Sequence, residues 1–170
     1  MSERTSGPAF ELQRLRPDHE AAILEFEVAN RAYFASFIGD RGDAFYANFP
    51  ELYRVLLAEQ DAGTSIGHVL VDGHGAVVGR FNLYEVADGV AEVGYRIAER
   101  VSGQGVATFG AQELCRLAFD EYGLRTLRAA TSNENIASQR VLLKVGFVVV
   151  GPVLIAGRQG VRYELAGSRV

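Results

Sequence analysis

The sequence predicts an α/β (α+β) fold, a mixed and mostly antiparallel central sheet flanked by helices. Three observations predict it. Segments 66–71, 76–86 and 90–98 read as strands joined by Asp-Gly turns, whose positive φ angles suit tight antiparallel hairpins. Segments 106–122 and 135–145 repeat apolar residues at helical spacing. Between those two helices, 126–132 reads as a further strand, so strands and helices alternate in the second half of the chain.

The elements follow in order. Phe10, Leu12 and Leu15 alternate with polar residues and predict a first strand over 10–16. Pro17-Asp18 reads as a turn with Asp18 as helix N-cap, and Ile23, Phe26, Glu27 and Asn30 carry a helix to about residue 30. The aromatic stretch 31–49 is broken by Gly39 and Gly42 and allows helix only in pieces. A second helix over 50–60 shows Leu52, Val55 and Leu56 on one face. Then comes the three-stranded meander, with Gly94 in its last strand hinting at a bulge or a close backbone approach. Ala107, Ala111, Leu114, Ala118 and Tyr122 trace the apolar stripe of the next helix, and Gly123 is its C′ residue. Gly146 caps the last helix, and strands 147–153 and 161–165 close the fold around a Gly157/Gly160 turn. The predicted order is β α α β β β α β α β β. Residues 1–8 are expected to form a flexible N-terminus and 9–170 a single domain.

Composition narrows the class. A chain of 170 residues with 48% hydrophobic and 22% charged residues builds a core without metal or disulfides. The single cysteine, Cys115, lies in an apolar helical stripe and is expected to be a core residue. The first eight residues hold no apolar signal region, and no run reaches the ~18 apolar residues that span a bilayer, so a cytoplasmic protein with no membrane partner is expected. The net charge of −4 argues against nucleic-acid binding and leaves room for a cationic amine.

The chemistry-bearing segment is Arg100-Val-Ser-Gly103-Gln-Gly105, between a strand and a helix. Glycines there let the backbone close on phosphate oxygens, and the free amides and dipole of the helix start favour an anion. Arg100 adds a cation. A dinucleotide fold fits badly, because the third glycine position is Thr108 and the preceding strands form a meander. A P-loop lacks its Gly-Lys-Ser/Thr.

Arg100, Gly103, Gly105 and Ala107 together resemble the acyl-CoA pyrophosphate loop of the GNAT superfamily of N-acetyltransferases. Gly94-Tyr95-Arg96-Ile97, the segment Asn135 to Phe147 with Ser138, Lys144 and Gly146, and the start Leu12 to Asp18 are similar to its ribosomal-protein-alanine (Rim-type) branch. The resemblance implies a GNAT-like sheet and acetyl-CoA as acyl donor, with no metal. It implies that backbone amides of Val101, Gly103, Gln104, Gly105 and Val106, with Ala107 and Thr108 behind them, hold the pyrophosphate. Tyr95 and Ile97 would pair with the pantetheine arm and supply an oxyanion hole. Asn135 would bond the pantetheine, and Ser138 would lie near the sulfur. Asn135 also reads as a plain N-cap, worth ~1 kcal/mol, and Ser138 as a plain first-turn residue. A homodimer is a further expectation of the resemblance.

Acetyl transfer from a thioester to an amine needs a neutral amine, a stabilised oxyanion and a proton or positive field for the leaving thiolate. Direct attack in a ternary complex is expected, since Cys115 sits in a core stripe. Glu92, two residues before Gly94 and so on its strand face, is the candidate base acting through water, with Glu85 as fallback. A solvent-facing strand carboxylate is the alternative for Glu92. His68 is expected to be structural, and His19 and His74 to lie at the surface. Where many family members carry a tyrosine acid this chain has Leu142, and its 148–154 stretch has no acid, unlike the Rim-type branch.

The expected acceptor is a protein N-terminal α-amine. A small-molecule amine (antibiotic, polyamine or amino acid) is an alternative, with Tyr33, Phe34 and Phe37 walling its pocket. A non-catalytic acyl-CoA-binding module is another.

Overall fold

A computed structural model describes residues 9–168; the expected flexible segment 1–8 lies outside the described residues. Strand β1 (Glu11–Arg14) is followed by a 3-10 turn, Pro17–His19. Four helices come next: α1 (Glu20–Ala29), α2 (Arg31–Ala35), α3 (Asp43–Ala47) and α4 (Phe49–Ala62). The meander is β2 (Ile66–Val71), β3 (Val77–Ala87) and β4 (Val90–Ile97). After a 3-10 turn at Glu99–Val101 come α5 (Val106–Asp120), β5 (Thr126–Ser132), α6 (Ile136–Val145), β6 (Val148–Ile155) and β7 (Arg158–Ala166). The seven strands form one sheet in the order β1-β2-β3-β4-β5-β7-β6, parallel only between β4 and β5.

The mixed, mostly antiparallel sheet matches the expected architecture, and β2 and β5 have the expected bounds. The stretch 31–49 adds the two short helices α2 and α3, so helix comes there in pieces. Asp18 lies in the 3-10 turn and makes no helix cap; its carboxylate binds Arg16 at 3.0 Å. The closing hairpin turns at Ala156-Gly157, both at positive φ, while Gly160 lies within β7.

The buried face of α4 differs from the expected one. Leu52 and Val55 are exposed, and Phe49, Tyr53 and Gln60 are buried. The aromatic rings stack on each other at 5.8 Å, and the Tyr53 hydroxyl donates to the Arg16 carbonyl. Gln60 donates to the Leu15 carbonyl at 2.9 Å and accepts from the Gly67 amide at 3.2 Å. A buried amide that satisfies two backbone groups is tolerated in a core position.

Side chains alternate across the sheet, so neighbouring residues of β3 report its two faces. Arg80 turns towards Glu27 of α1. Phe81 turns towards α5, where a Cβ on Gly110 would lie 2.2 Å from its ring. Glycine at 110 therefore lets α5 seat directly on Phe81. That ring stacks on Tyr95 of β4, with centroids 5.5 Å apart and planes 13° from parallel. Gly94 marks a close approach with no register break: the Tyr84 ring lies across it, 2.8 Å from where a Cβ would stand.

Candidate active site

The site begins where two strands part. β4 and β5 pair only at Val90 with Thr126, Ala91 with Leu127 and Glu92 with Arg128. Beyond that point β4 stays on β3 as far as Ile97, and β5 stays on β7 as far as Ser132. A wedge opens between them. The Ala98 amide donates to Val78 of β3. Backbone groups alternate sides along a strand, so those of Tyr95 and Ile97 face the wedge instead. An extended ligand lying there would find strand-edge partners.

Two cavities meet at this wedge. One, of about 390 Å³, lies against the loop Ser102, Gly103, Gly105 and the first turn of α5, and is closed by α6. The other, of about 470 Å³, lies between Ala35–Gly39, β4, β5 and the Ile155–Arg158 hairpin. Phe37, Ile38, Tyr95, Asn135 and Ser138 line both and so stand at their junction.

The loop side is built for an anion. Gly103 and Gly105 have φ of +73° and +78°, and nothing stands within 4 Å of where a Cβ would be. The left-handed conformation, rather than crowding, requires glycine there. It turns the chain into α5 with no side chain capping the helix start. Those first amides have no intrahelical acceptor, and Val106, Ala107 and Thr108 line the cavity.

Asn135 and Ser138 come from the start of α6. The Asn135 Oδ1 accepts from the Ser138 amide at 3.1 Å, the expected N-cap, and both residues line both cavities. The Ser138 hydroxyl lies 3.2 Å from the Tyr95 hydroxyl. Burial raises the Tyr95 phenol above its usual range, and the Ser138 bond opposes that. Leu142 is buried where a tyrosine acid was sought, while β4 delivers a phenol from the other wall.

Other expected residues fall elsewhere. Arg100 binds Asp72 at 3.0 Å and lines a separate cavity beside α1, and Val101 is buried. Gln104 folds back on the Arg100 carbonyl at 3.3 Å. Phe34 is in the core beneath the Arg96 guanidinium, while Tyr33 and Phe37 line the loop-side cavity. Glu92 lines neither cavity: its Oε1 accepts from Arg162 at 2.8 Å. Glu85, at a positive φ of 50°, is exposed. His68 is buried between the Phe81 carbonyl and the Tyr122 hydroxyl, a structural role as expected. His19 is buried too, against expectation, because its ring bridges the Arg16 amide and the Gln13 side chain. Cys115 is buried, and burial pushes its thiol up to about 12.

Sequence reading missed four cations. Arg140 and Lys144, one turn apart on α6, line the loop-side cavity with Arg96, and Arg158 lines the other. The i, i+4 spacing of Arg140 and Lys144 is a signal that could have found that pair. No Asp or Glu among the described residues lines either cavity.

A splayed parallel strand pair beside a glycine-rich helix start suits an extended ligand with an anionic end. Residues 10–148 match the family model of the acetyltransferase (GNAT) domain, and the chain belongs to that family. It is an N-acetyltransferase-family acyltransferase, and acetyl-CoA is the donor of that family. It is 25% identical over 131 residues to the probable N-acetyltransferase YjcK of Bacillus subtilis, covering 73% of this chain and 72% of that one. Over 59 residues it is 39% identical to an FsC-acetyl coenzyme A-N(2)-transacetylase of Aspergillus fumigatus. That match takes in 35% of this chain and spans only 25% of the Aspergillus protein's length.

Among solved structures, the ribosomal-protein-S5-alanine acetyltransferase of Vibrio fischeri superposes with a TM-score of 0.85 at 18% identity, over 92% of each chain. A Vibrio cholerae spermidine N-acetyltransferase chimera superposes at 0.77 with 19% identity, over 92% of this chain and 95% of that one. At these identities the likeness is one of fold, and solved neighbours include complexes with CoA. No helix among the described residues is long and apolar enough to cross a membrane.

Proposed function

We propose that the chain, as one domain over residues 9–170, transfers acetyl from acetyl-CoA to an α-amine by direct attack in a ternary complex. The observation that carries this reading is the wedge between β4 and β5, open at one end to the glycine loop and at the other to the second cavity. The pyrophosphate would rest on the amides from Gly103 to Thr108, near Arg140 and Lys144. The pantetheine arm would lie along Tyr95 and Ile97, bringing the thioester to Ser138. A β4 amide facing the wedge would bond the developing oxyanion. As the C–S bond breaks, the Ser138 hydroxyl, backed by the Tyr95 phenol at 3.2 Å, would pass a proton to the thiolate and regain one, directly or through water, from the ammonium formed by the attack.

The acceptor would enter through the cavity lined by Phe37, Ile38 and Arg158. The charge of the walls supports an α-amine over a polyamine or aminoglycoside. A polycation needs carboxylates, and among the described residues these cavities are lined by cations and no carboxylate. An α-amine, with a pKa of ~7.7–8.0, also supplies its neutral form near neutrality without an enzymic base. A protein N-terminus meets both terms; the α-amine of a free amino acid meets the first, but its own carboxylate holds it as ammonium to higher pH.

The test is release of CoA thiol from acetyl-CoA with peptides bearing free α-amines, amino acids, polyamines and aminoglycoside-type amines. Release with α-amines is expected. Release with polyamines alone would overturn the acceptor reading. Tight acetyl-CoA binding without release to any amine would favour the non-catalytic module.

A further inference from the structure

Glu27 of α1 is wholly buried and is ringed by three guanidiniums. Arg80 bonds it at 2.8 Å and Arg41 at 3.1 and 3.2 Å, while Arg96 stands 3.5 Å away. Burial alone would raise the Glu27 carboxyl, but Arg80, Arg41 and Arg96 together hold it below its usual range. One carboxylate thus faces three cations. Arg80 and Arg96 are direct cross-strand partners, an arrangement of like charges that destabilises a sheet. The Arg80 Nε is buried without a partner among the described residues. The cluster holds more positive charge and more donors than its single acid satisfies.

Arg96 is the member that reaches the site. Its side chain is 14% exposed against 6% for Arg80; it lines the loop-side cavity and not the acceptor cavity, but stands beside Phe37 and Ile38, where the two cavities meet. Its guanidinium carbon lies over the Phe34 ring, 4.6 Å from the centroid. Among the described residues it makes no hydrogen bond shorter than the 3.5 Å approach to Glu27. Burial and the neighbouring Arg41 lower its pKa, against the pull of Glu27, as expected of a cation short of counter-charge. A planar guanidinium placed over an aromatic ring is a ready bidentate partner for a carboxylate.

We infer that Arg96 is a specificity residue that binds a carboxylate carried by the acceptor itself, so that the acceptor is an amine bearing a carboxylate nearby. This rests on the α-amine acetyltransferase reading and narrows it. The carboxylate could be the α-carboxylate of a free amino acid or an acidic side chain next to a peptide N-terminus.

The experiment measures kcat/KM at saturating acetyl-CoA, expressed per neutral amine from the pH profile of each acceptor, for free amino acids, their amides, and dipeptide amides with an acidic or a neutral second residue. Wild type is expected to prefer a carboxylate-bearing acceptor over its neutral counterpart by about tenfold or more, the scale of one charge-assisted bidentate contact. The free amino acid or the acidic dipeptide amide will show the preference, and that identifies the source of the carboxylate. Arg96→Gln should bring the ratio down towards one through the acceptor KM, and Arg96→Lys should restore part of it. Equal rates for carboxylate and amide acceptors in wild type would overturn the inference. So would an Arg96→Gln ratio equal to that of wild type. If Arg96→Gln does not fold, the wild-type ratio and Arg96→Lys decide. Turnover with neutral amides alone sinks only this inference, whereas no turnover with any α-amine sinks the acceptor reading as well.

Discussion

Glu92 of β4 and Arg162 of β7 are joined by a 2.8 Å hydrogen bond that spans the intervening β5. Glu92 is also the last residue of β4 that pairs with β5. The ion pair therefore ties the sheet together at the apex of the wedge. Its side chains are 28% and 36% exposed, so solvent screens the pair and its worth is on the order of 0.5 kcal/mol. Glu92→Gln should lower Tm by a few degrees at most and keep kcat within about threefold, as for a lost surface ion pair. A hundredfold loss of kcat in the folded variant would restore Glu92 as a base acting through water.

Gly105→Glu should abolish CoA binding. The substitution forces an L residue to φ of +78°, costing about 1–2 kcal/mol, and puts a carboxylate where the pyrophosphate would rest. Gly105→Ala carries the strain without the charge and should lose less affinity. Calorimetric titration with CoA, after circular dichroism shows both variants folded, compares them. Equal affinity in Gly105→Glu and wild type would remove the loop from the cofactor site.

The Tyr95–Ser138 pair makes a separate prediction. A phenol raised by burial stays protonated through the assay range and can donate to a thiolate. Ser138→Ala should lower kcat by about 10²-fold and Tyr95→Phe by somewhat less, in the range of general acid catalysis. The KM for acetyl-CoA should move little in Tyr95→Phe, because its ring still stacks on Phe81. Steady-state rates on both variants and the double variant give the coupling. Fully additive losses would mean that the two hydroxyls do not act together.

His68 predicts an acid limit to stability. Its Nδ1–H donates to the Phe81 carbonyl at 3.2 Å, which leaves Nε2 to accept from the Tyr122 hydroxyl at 2.7 Å. That is the neutral ring, and burial pulls its pKa down to about 4. The unfolded chain, with a histidine pKa of ~6.5, binds the proton more readily in this window. Stability is thus complete above pH ~6.5 and falls as pH drops towards 4, by about 3 kcal/mol at most. Melting temperature against pH should show that slope in wild type. A His68→Gln variant, measured relative to its own neutral-pH value, should show less of it. Equal slopes would assign the acid limit to other groups.

What the sequence made legible, and what it hid, follows from the range of each interaction. The meander, the glycine loop and the Asn135 cap are set by residues within a few positions of each other, and local pattern reads them. The buried face of α4 is not legible locally because Gln60 is polar in isolation, and only its bonds to Leu15 and Gly67 explain its burial. The aromatics of 31–49 divide between core (Phe34, Phe49) and cavity wall (Phe37) according to contacts with distant strands. The Glu27 cluster joins positions 27, 41, 80 and 96, which no periodicity connects. The Tyr95 hydroxyl was hidden likewise, since it meets Ser138 from a strand 43 residues away.

The lack of a base in the cleft makes the last prediction. Among the described residues no carboxylate lines either cavity, His68 is buried elsewhere with its pKa pulled down, and Glu92 is held by Arg162. The acceptor must then arrive neutral. Below its own pKa, kcat/KM should rise about tenfold per pH unit and level off near the α-amine value of ~7.7–8.0. Two acceptors of different amine pKa separate the cases. If the break point follows the acceptor, the amine itself titrates, as proposed. If both profiles break at one pH, an enzymic group takes the proton, and Glu92 acting through water becomes the first group to vary.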